Sequence, residues 1–180
     1  TVGGLFGTVQ SNGSTAVSEC FFSGSVTGVN LVGGIAGSLY NGGTFSDIYC
    51  TGRAEATAAA GAAGGITGTF RSGTIRNAYA CGNVTAANAG SVAAKLEWTS
   101  GQKTLDNVYV IQSDHETAAV LNGCTIQNGA AISKTAEELK GLASSLGDKF
   151  AEDAASINQG YPILNWQEGS QEVDPDQPAS

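Results

Sequence analysis

Gly33-Gly34-Ile35-Ala36-Gly37 decides the fold, because this stretch recurs along the chain. Its other copies are Gly3-Gly4-Leu5-Phe6-Gly7, Gly64-Gly65-Ile66-Thr67-Gly68 and the degenerate Gly90-Ser91-Val92-Ala93-Ala94. Each copy leads into an Asn-Gly or Ser-Gly turn signal, and a second motif follows every turn. The second motifs are Glu19-Cys20-Phe21, Asp47-Ile48-Tyr49, Asn77-Ala78-Tyr79 and Asn107-Val108-Tyr109. The two motifs occur together in four copies, about 30 residues apart, which indicates an array of structural repeats.

Within each copy the residues alternate as they do in a β-strand. After Gly34, one set of positions reads Ile35, Gly37 and Leu39, and the intervening set reads Ala36, Ser38 and Tyr40. The first set is apolar or very small and the second is largely polar, which predicts that the first set faces a core. Glycine weakens a strand unless another backbone approaches closely, so we expect a narrow core at the repeat glycines. These glycines are Gly4, Gly7, Gly34, Gly37, Gly65 and Gly68.

The repeats predict an all-β fold, a β-solenoid of about four coils of roughly 30 residues with a short C-terminal capping helix. Each coil supplies two strands and a third short segment, around Val26, Ala54 or Val84. A β-propeller is less favoured, because its blades need about 40 or more residues. We divide the chain into solenoid repeats (residues 1–132), a helical and extended cap (133–166) and an acidic linker tail (167–180).

The predicted helix covers residues 135–146. It starts with the capping-box pattern of Thr135 and Glu138, carries Leu139, Leu142 and Leu146 at helical spacing, and meets a stop signal at Gly147. We expect this helix, with residues 161–166, to cover the open strand edges of the last coil. No such cap precedes the first repeat, so we expect further coils or another domain before Thr1.

The charge pattern speaks against several classes of partner. The formal net charge is −8, and the tail after Trp166 adds four acidic residues and no basic one. No basic stripe is present to neutralise phosphates, so nucleic acid is not expected as a partner. No run of about 18 apolar residues occurs, so no membrane span is expected.

The repeats resemble a known family. The runs GGLFG, GGIAG and GGITG, with the companions SDIYCTG and RNAYACG, are similar to the GLUG motif of bacterial surface proteins. The resemblance extends over most of the chain to Trp166, and the segment INQGYPILNW resembles a closing segment found after such repeats. It implies a β-solenoid module of a cell-surface or secreted protein, in an extracellular location, and it brings no catalytic residues with it.

The aromatic column Phe21, Tyr49, Tyr79 and Tyr109 is the candidate ligand-binding site. By alternation these side chains face away from the core, whereas their neighbours Cys20, Ile48, Ala78 and Val108 face inward. Stacked outward rings could bind a sugar or dock a partner. The alternative, which we prefer, is that the rings stack on one another, at a corner or under a loop, for stability alone.

A polar column precedes the aromatic one and consists of Glu19, Asp47, Asn77 and Asn107. It could bind a cation such as Ca²⁺, but it carries only two carboxylates, and a structural ladder that hydrogen-bonds turn backbone is favoured. Asp114-His115-Glu116 could ligate a metal or supply a base, although a solvated loop is the simpler interpretation. We therefore expect no metal site and no cofactor.

Four cysteines, Cys20, Cys50, Cys81 and Cys124, lack the paired spacing of a zinc site. Counted from the aromatic anchor, Cys20 and Cys50 face the core in different columns and Cys81 lies on the other face. We therefore expect free thiols at Cys20 and Cys50, because their columns are too far apart for a disulfide.

The sequence favours a non-catalytic structural or adhesive module, a spacer or binding face of a bacterial cell-surface or secreted protein. Clustered carboxylates of the kind that a polysaccharide-cleaving solenoid needs are absent from the repeats. The alternative is an accessory β-solenoid region of a secreted glycan-active enzyme or peptidase. A host or bacterial surface glycan or protein would be the partner, and the sequence does not identify it.

Overall fold

The computed structural model describes residues 1–10, 15–97, 101–112, 118–120 and 125–168, with backbone alone for 118–120. The chain forms short strands with few helical residues. In chain order the strands are β1 (Val2–Gly3), β2 (Val9–Gln10), β3 (Ala16–Phe22), β4 (Ser25–Gly28), β5 (Leu31–Gly33), β6 (Ala36–Tyr40), β7 (Gly43–Cys50), β8 (Arg53–Ala56), β9 (Ala62–Gly64), β10 (Thr67–Phe70), β11 (Gly73–Ala80), β12 (Val84–Thr85), β13 (Asn88–Gly90), β14 (Ala93–Leu96), β15 (Lys103–Ile111), β16 (Ala118–Val120), β17 (Ala131–Lys134), β18 (Phe150–Ala151) and β19 (Ile163–Leu164). The helices are α1 (Ala136–Lys140), α2 (Ala143–Leu146) and a 3₁₀ turn at Asn165–Gln167.

Strands of successive repeats stack in parallel, which confirms the predicted β-solenoid. The first sheet is β1-β5-β9-β13, the second β2-β6-β10-β14-β16, the third β3-β7-β11-β15-β17 and the fourth β4-β8-β12. The register follows the repeat, since Val2 pairs with Val32, and Tyr49 pairs with Tyr79. The described residues complete about three coils, because the fourth sheet has three strands there while the second and third continue into a fifth.

Each long strand of the third sheet bends at one residue with a left-handed backbone. These residues are Glu19, Asp47, Asn77 and Asn107, with φ between 45° and 55°. Asn and Asp tolerate this conformation better than most residues. The bend resets the alternation, so that Phe45 before it and Ile48 after it, three positions apart, both lie in the core. Strict alternation does not predict this corner.

The predicted alternation fails in the second sheet. Ala36, expected to face outward, is fully buried in the core beside Ile35. The amides of both residues donate to the Ile66 carbonyl, a bulge-like irregularity that places consecutive side chains on one face. Ser38, Thr67 and Thr69, also expected outside, are buried as well.

The repeat glycines sit where backbones of adjacent coils approach each other, as predicted. A Cβ at Gly34 would lie 2.1 Å from the Gly65 carbonyl oxygen and 2.4 Å from the Cys50 sulfur. A Cβ at Gly37 would lie 2.5 Å from the Gly7 carbonyl oxygen, and one at Gly68 would lie 2.5 Å from that of Gly37. Gly4 and Gly65 meet backbone oxygens in the same way. Gly7 is the exception, with nothing within 4 Å among the described residues.

The C-terminal region differs from the prediction in form and position. The Thr135–Glu138 capping box is confirmed, but the helix divides into α1 and α2 at Gly141, a residue that costs about 1 kcal/mol in a helix. Within the described residues, no strand that follows β17 pairs with β16 or β17, the outermost strands of the last coil. Residues 136–167 run back along the outer side of the third sheet, from β15 and β17 near α1 to Glu19 near Trp166.

Within the described ranges, no helix has the length and apolar character needed to cross a bilayer.

Candidate functional site

The aromatic column is continuous over the first three coils. The rings of Phe21 and Tyr49 stack with centroids 4.9 Å apart, and those of Tyr49 and Tyr79 stack at 5.1 Å with planes only 5° apart. Parallel in-register pairing aligns these residues, since adjacent strands lie about 4.8 Å apart. Tyr109 continues the same position in β15. The column faces away from the solenoid core, as predicted.

The C-terminal segment covers this column. Tyr49 and Tyr79 are each only 1% exposed, and Tyr109 is 9% exposed. Apolar side chains from residues 139–164 form one cluster with the tyrosines: Leu139, Leu142, Leu146, Phe150 and Leu164. At the first coil, the Trp166 ring packs 5.9 Å from that of Phe21. A sugar or partner could therefore stack on Tyr49 or Tyr79 only after the C-terminal segment had moved away, whereas Phe21 at the end of the column is half-buried.

The buried tyrosine hydroxyls have specific partners in the segment. Tyr49 donates to the Gln167 side-chain oxygen at 2.9 Å, and the same oxygen accepts the Leu164 amide. Tyr79 donates to the Pro162 carbonyl and accepts from the Asn158 side-chain amide at 2.8 Å. These bonds fix the lateral position of the segment on the column, because a buried hydroxyl without a partner is costly.

Asp153 stabilises the loop that places the Asn158 side chain beside Tyr79. Its carboxylate accepts backbone amides from Ile157, Asn158 and Gly160, each at 2.8 Å. The buried Asn158 side chain in turn accepts from the Thr51 hydroxyl at 3.3 Å. Asn158 and Gln167 could not be identified from the sequence, because nothing local signals that residues 79 and 118 positions away will bond Tyr79 and Tyr49. The role of Asp153 depends on theirs and carries no signal of its own.

Burial changes the acidity of the column. Loss of solvation raises the pKa of the Tyr49 hydroxyl to about 12 and raises that of Tyr79 well above its ordinary value. On the core side of the same strand, burial raises the pKa of the Cys50 thiol to about 12. Both faces of β7 are therefore shielded from solvent.

The polar column forms a side-chain ladder. Asn77 donates to the Asp47 carboxylate at 2.9 Å, and Asn107 donates to the Asn77 side-chain oxygen at 3.1 Å and to the Ser145 carbonyl at 2.8 Å. The bonds run mainly between side chains, not to turn backbone as expected. Glu19 pairs with Lys149 at 3.1 Å, which ties the C-terminal segment to the first coil.

Among the described residues, no three His, Cys, Asp or Glu side chains come together as a metal site. The candidate Asp114-His115-Glu116 lies outside the described residues, as does Cys124. Cys20 pairs in register with Ile48, and Cys50 pairs with Phe22, so the two occupy different columns and are free thiols, as predicted. Cys81 is also free and packs against the aromatic cluster.

Comparison with known proteins supports the fold. No protein-family profile and no curated protein matches the sequence. The structure is similar to the crystal structure of a protein described as a putative immunoglobulin A1 protease from Bacteroides ovatus, with a TM-score of 0.56 and 22% identity. The match covers 91% of this chain and 64% of that protein, so the chain spans less than two thirds of its length.

Proposed function

We propose that this chain is a non-catalytic structural or adhesive module of a bacterial cell-surface or secreted protein, in which it acts as a spacer or binding face. One observation carries the structural role: the aromatic column is stacked on itself and covered by the chain's own C-terminal segment. The hydroxyls of Tyr49 and Tyr79 are bonded to Gln167, Pro162 and Asn158, so these polar groups are committed within the molecule.

The extracellular location rests on the resemblance of the repeat to the GLUG motif. The glycines of that motif have a structural task here, since Gly34 and Gly65 allow adjacent coils to approach. This supports the interpretation of the motif as a stacking element of a rigid rod. A rigid stack of coils suits a spacer, because each coil adds a fixed rise along one axis.

The second candidate is an accessory β-solenoid region of a secreted peptidase or glycan-active enzyme. The similarity in fold to the Bacteroides ovatus protein favours the peptidase version, since that protein is described as a protease. At 22% identity the likeness concerns the fold alone, and no residue role is carried over. In this version the chain would position or support a catalytic region that lies elsewhere in the natural protein.

Two assays on the purified chain test the proposal. Incubation with immunoglobulin A1 and with an unfolded casein substrate should yield no cleavage, and cleavage that survives repurification and is lost on heat unfolding would overturn the non-catalytic assignment. A glycan array should show no retention. Retention that is lost in Tyr49→Ala but kept in Tyr49→Phe would show that the ring binds sugar, and the column would then be a binding site.

A further inference from the structure

The first coil exposes apolar side chains at positions that the second coil buries. Val2, Leu5 and Phe6 are 38%, 42% and 37% exposed, whereas the residues at the same positions of the second coil are fully buried. Those equivalents are Val32, Ile35 and Ala36. The difference arises because each later coil has a preceding coil against it, and the first has none among the described residues.

Among the described residues, the same end of the molecule has four strand edges with no neighbouring strand. β1, β2, β3 and β4 are the outermost strands of their sheets, and all belong to the first coil. An unpaired strand edge presents free backbone donors and acceptors and is a ready template for another strand. Only another coil offers four strands in the order and direction that would pair with all of these edges together.

Gly7 supplies an independent argument. At the equivalent positions, Gly37 and Gly68 are required because a Cβ would lie 2.5 Å from a carbonyl oxygen of the preceding coil. Gly7 has no neighbour within 4 Å among the described residues, and its backbone is not left-handed. Nothing described in this chain therefore requires glycine there. The requirement appears if the carbonyl oxygen of another coil lies against Gly7.

We infer that the N-terminal face of the first coil, formed by β1–β4, Val2, Leu5, Phe6 and Gly7, is a docking surface for a further coil of the same kind. The incoming coil continues all four sheets in parallel register. It buries the three apolar side chains and places a backbone carbonyl against Gly7. This inference goes beyond the proposed function, because it holds whether or not the module binds a ligand.

The test is an extended chain with a copy of residues 31–61 fused directly before Thr1. The joint keeps the register. In the natural chain Gly61 is followed by Ala62, which pairs with Leu31 one coil earlier; in the extended chain Gly61 of the copy is followed by Thr1, which takes the place of Ala62 beside Leu31 of the copy. We expect the added coil to resist proteolysis and to raise the melting temperature by about 3 °C or more. The control is an extension of the same composition in scrambled order, which should be digested and leave the melting temperature unchanged.

Gly7→Ala in both chains gives the sharper readout. We expect Gly7→Ala to leave the melting temperature of the 180-residue chain unchanged and to lower that of the extended chain. Gly37→Ala should lower the melting temperature of both chains. A digested extension with an unchanged melting temperature, or Gly7→Ala tolerated equally in both chains, would overturn the inference. A dimer of the 180-residue chain that the added coil disrupts would assign the face to a second copy and also overturn it.

Discussion

The outer side of the third sheet and the N-terminal face of the first coil both present apolar side chains, but the described residues cover the first surface and not the second. On the sheet, Tyr49 and Tyr79 are 1% exposed under the C-terminal segment. On the N-terminal face, Leu5 and Phe6 remain 42% and 37% exposed. A stacked-coil protein thus has two kinds of apolar surface, and they are closed by different means.

The difference follows from geometry. A side column needs a strip of chain that runs across the coils, and an irregular segment with its own polar side chains can supply it. Gln167 and Asn158 fulfil this role by bonding the tyrosine hydroxyls. An axial face presents four strand edges in fixed register, and only strands satisfy such edges well. A segment suited to one surface therefore does not fit the other.

The largest effect is expected at the covered face. Tyr79→Ala removes a buried ring from the centre of the stack, together with the hydroxyl that bonds Asn158 and the Pro162 carbonyl, so it should cost about 3–5 kcal/mol of unfolding free energy. The control is Tyr40→Ala on the second sheet, where the ring is only half-buried and its hydroxyl bonds to Gln10. Urea denaturation measures both. Equal costs at the two sites would contradict a sealed column.

A smaller effect is expected within the axial stack. Gly34→Ala forces a Cβ against the Gly65 carbonyl oxygen and the Cys50 sulfur, and such overpacking costs about 1–3 kcal/mol. The matched control is Gly141→Ala, where the nearest atom is 3.8 Å away and alanine favours helix. Gly141→Ala should be neutral or stabilising by thermal denaturation. If Gly34→Ala were equally neutral, the close approach of the coils would be wrong.

Alkaline titration compares the two faces of β7 directly. Both Tyr49 and Cys50 have a pKa raised to about 12 in the folded protein, so the unfolded chain ionises first and stability falls as pH rises. The loss of stability should begin near pH 9 with the Cys50 thiol, and it should reach about 1 kcal/mol one pH unit higher. Tyr49 should add to it from about pH 10 upward.

Unfolding by urea at a series of pH values, in reductant, measures this loss, and Cys50→Ala should reduce it. The absorbance of tyrosinate provides the specific signal: the difference between the wild type and Tyr49→Phe should stay flat until about pH 12 or until unfolding. A Tyr49 signal that titrates near pH 10 in the folded protein would mean that water reaches the column.

The smallest effect concerns buried hydroxyls of the second sheet. Thr69 is 1% exposed, and its hydroxyl has no hydrogen-bond partner among the described residues. Thr69→Val keeps the shape and removes the unsatisfied group, so it should stabilise the chain by about 1 kcal/mol. Thr67→Val is the control, because the Thr67 hydroxyl donates to the Thr69 carbonyl at 3.1 Å. Destabilisation by Thr69→Val in thermal melts would show that its hydroxyl is satisfied.

The stacking of the coils could be predicted from the sequence because its motifs repeat. Equivalent residues pair in the structure as the motifs predict, for example Ile48 with Ala78 and Val26 with Ala54. The period fixes which residues lie above one another, and the glycine positions follow from the same stacking. The capping box of Thr135 was also readable, since it is a local pattern of four residues.

Two features could not be predicted from the sequence: the backbone irregularities that recur within each coil, and the position of the C-terminal segment. The bulge at Ile35 and Ala36 and the corner at Asp47 break the alternation that was used to assign faces. The position of the C-terminal segment depends on contacts such as that of Trp166 with the Glu19 carbonyl, 147 positions apart. The C-terminal segment occurs once, so no repeat indicates its register against the coils. Its amphipathic helix predicted that the segment covers an apolar surface, but not which surface.

Hydrogen exchange of the C-terminal segment tests most directly whether the chain seals its own aromatic column. The amides of Leu139, Phe150 and Leu164, bonded to Thr135, Gly147 and Gln167, should be protected to the same degree as those of β11. They should lose that protection in Tyr79→Ala. Exchange at the rate of an unstructured peptide, while β11 stays protected in the wild type, would contradict the account and leave the column open for a ligand.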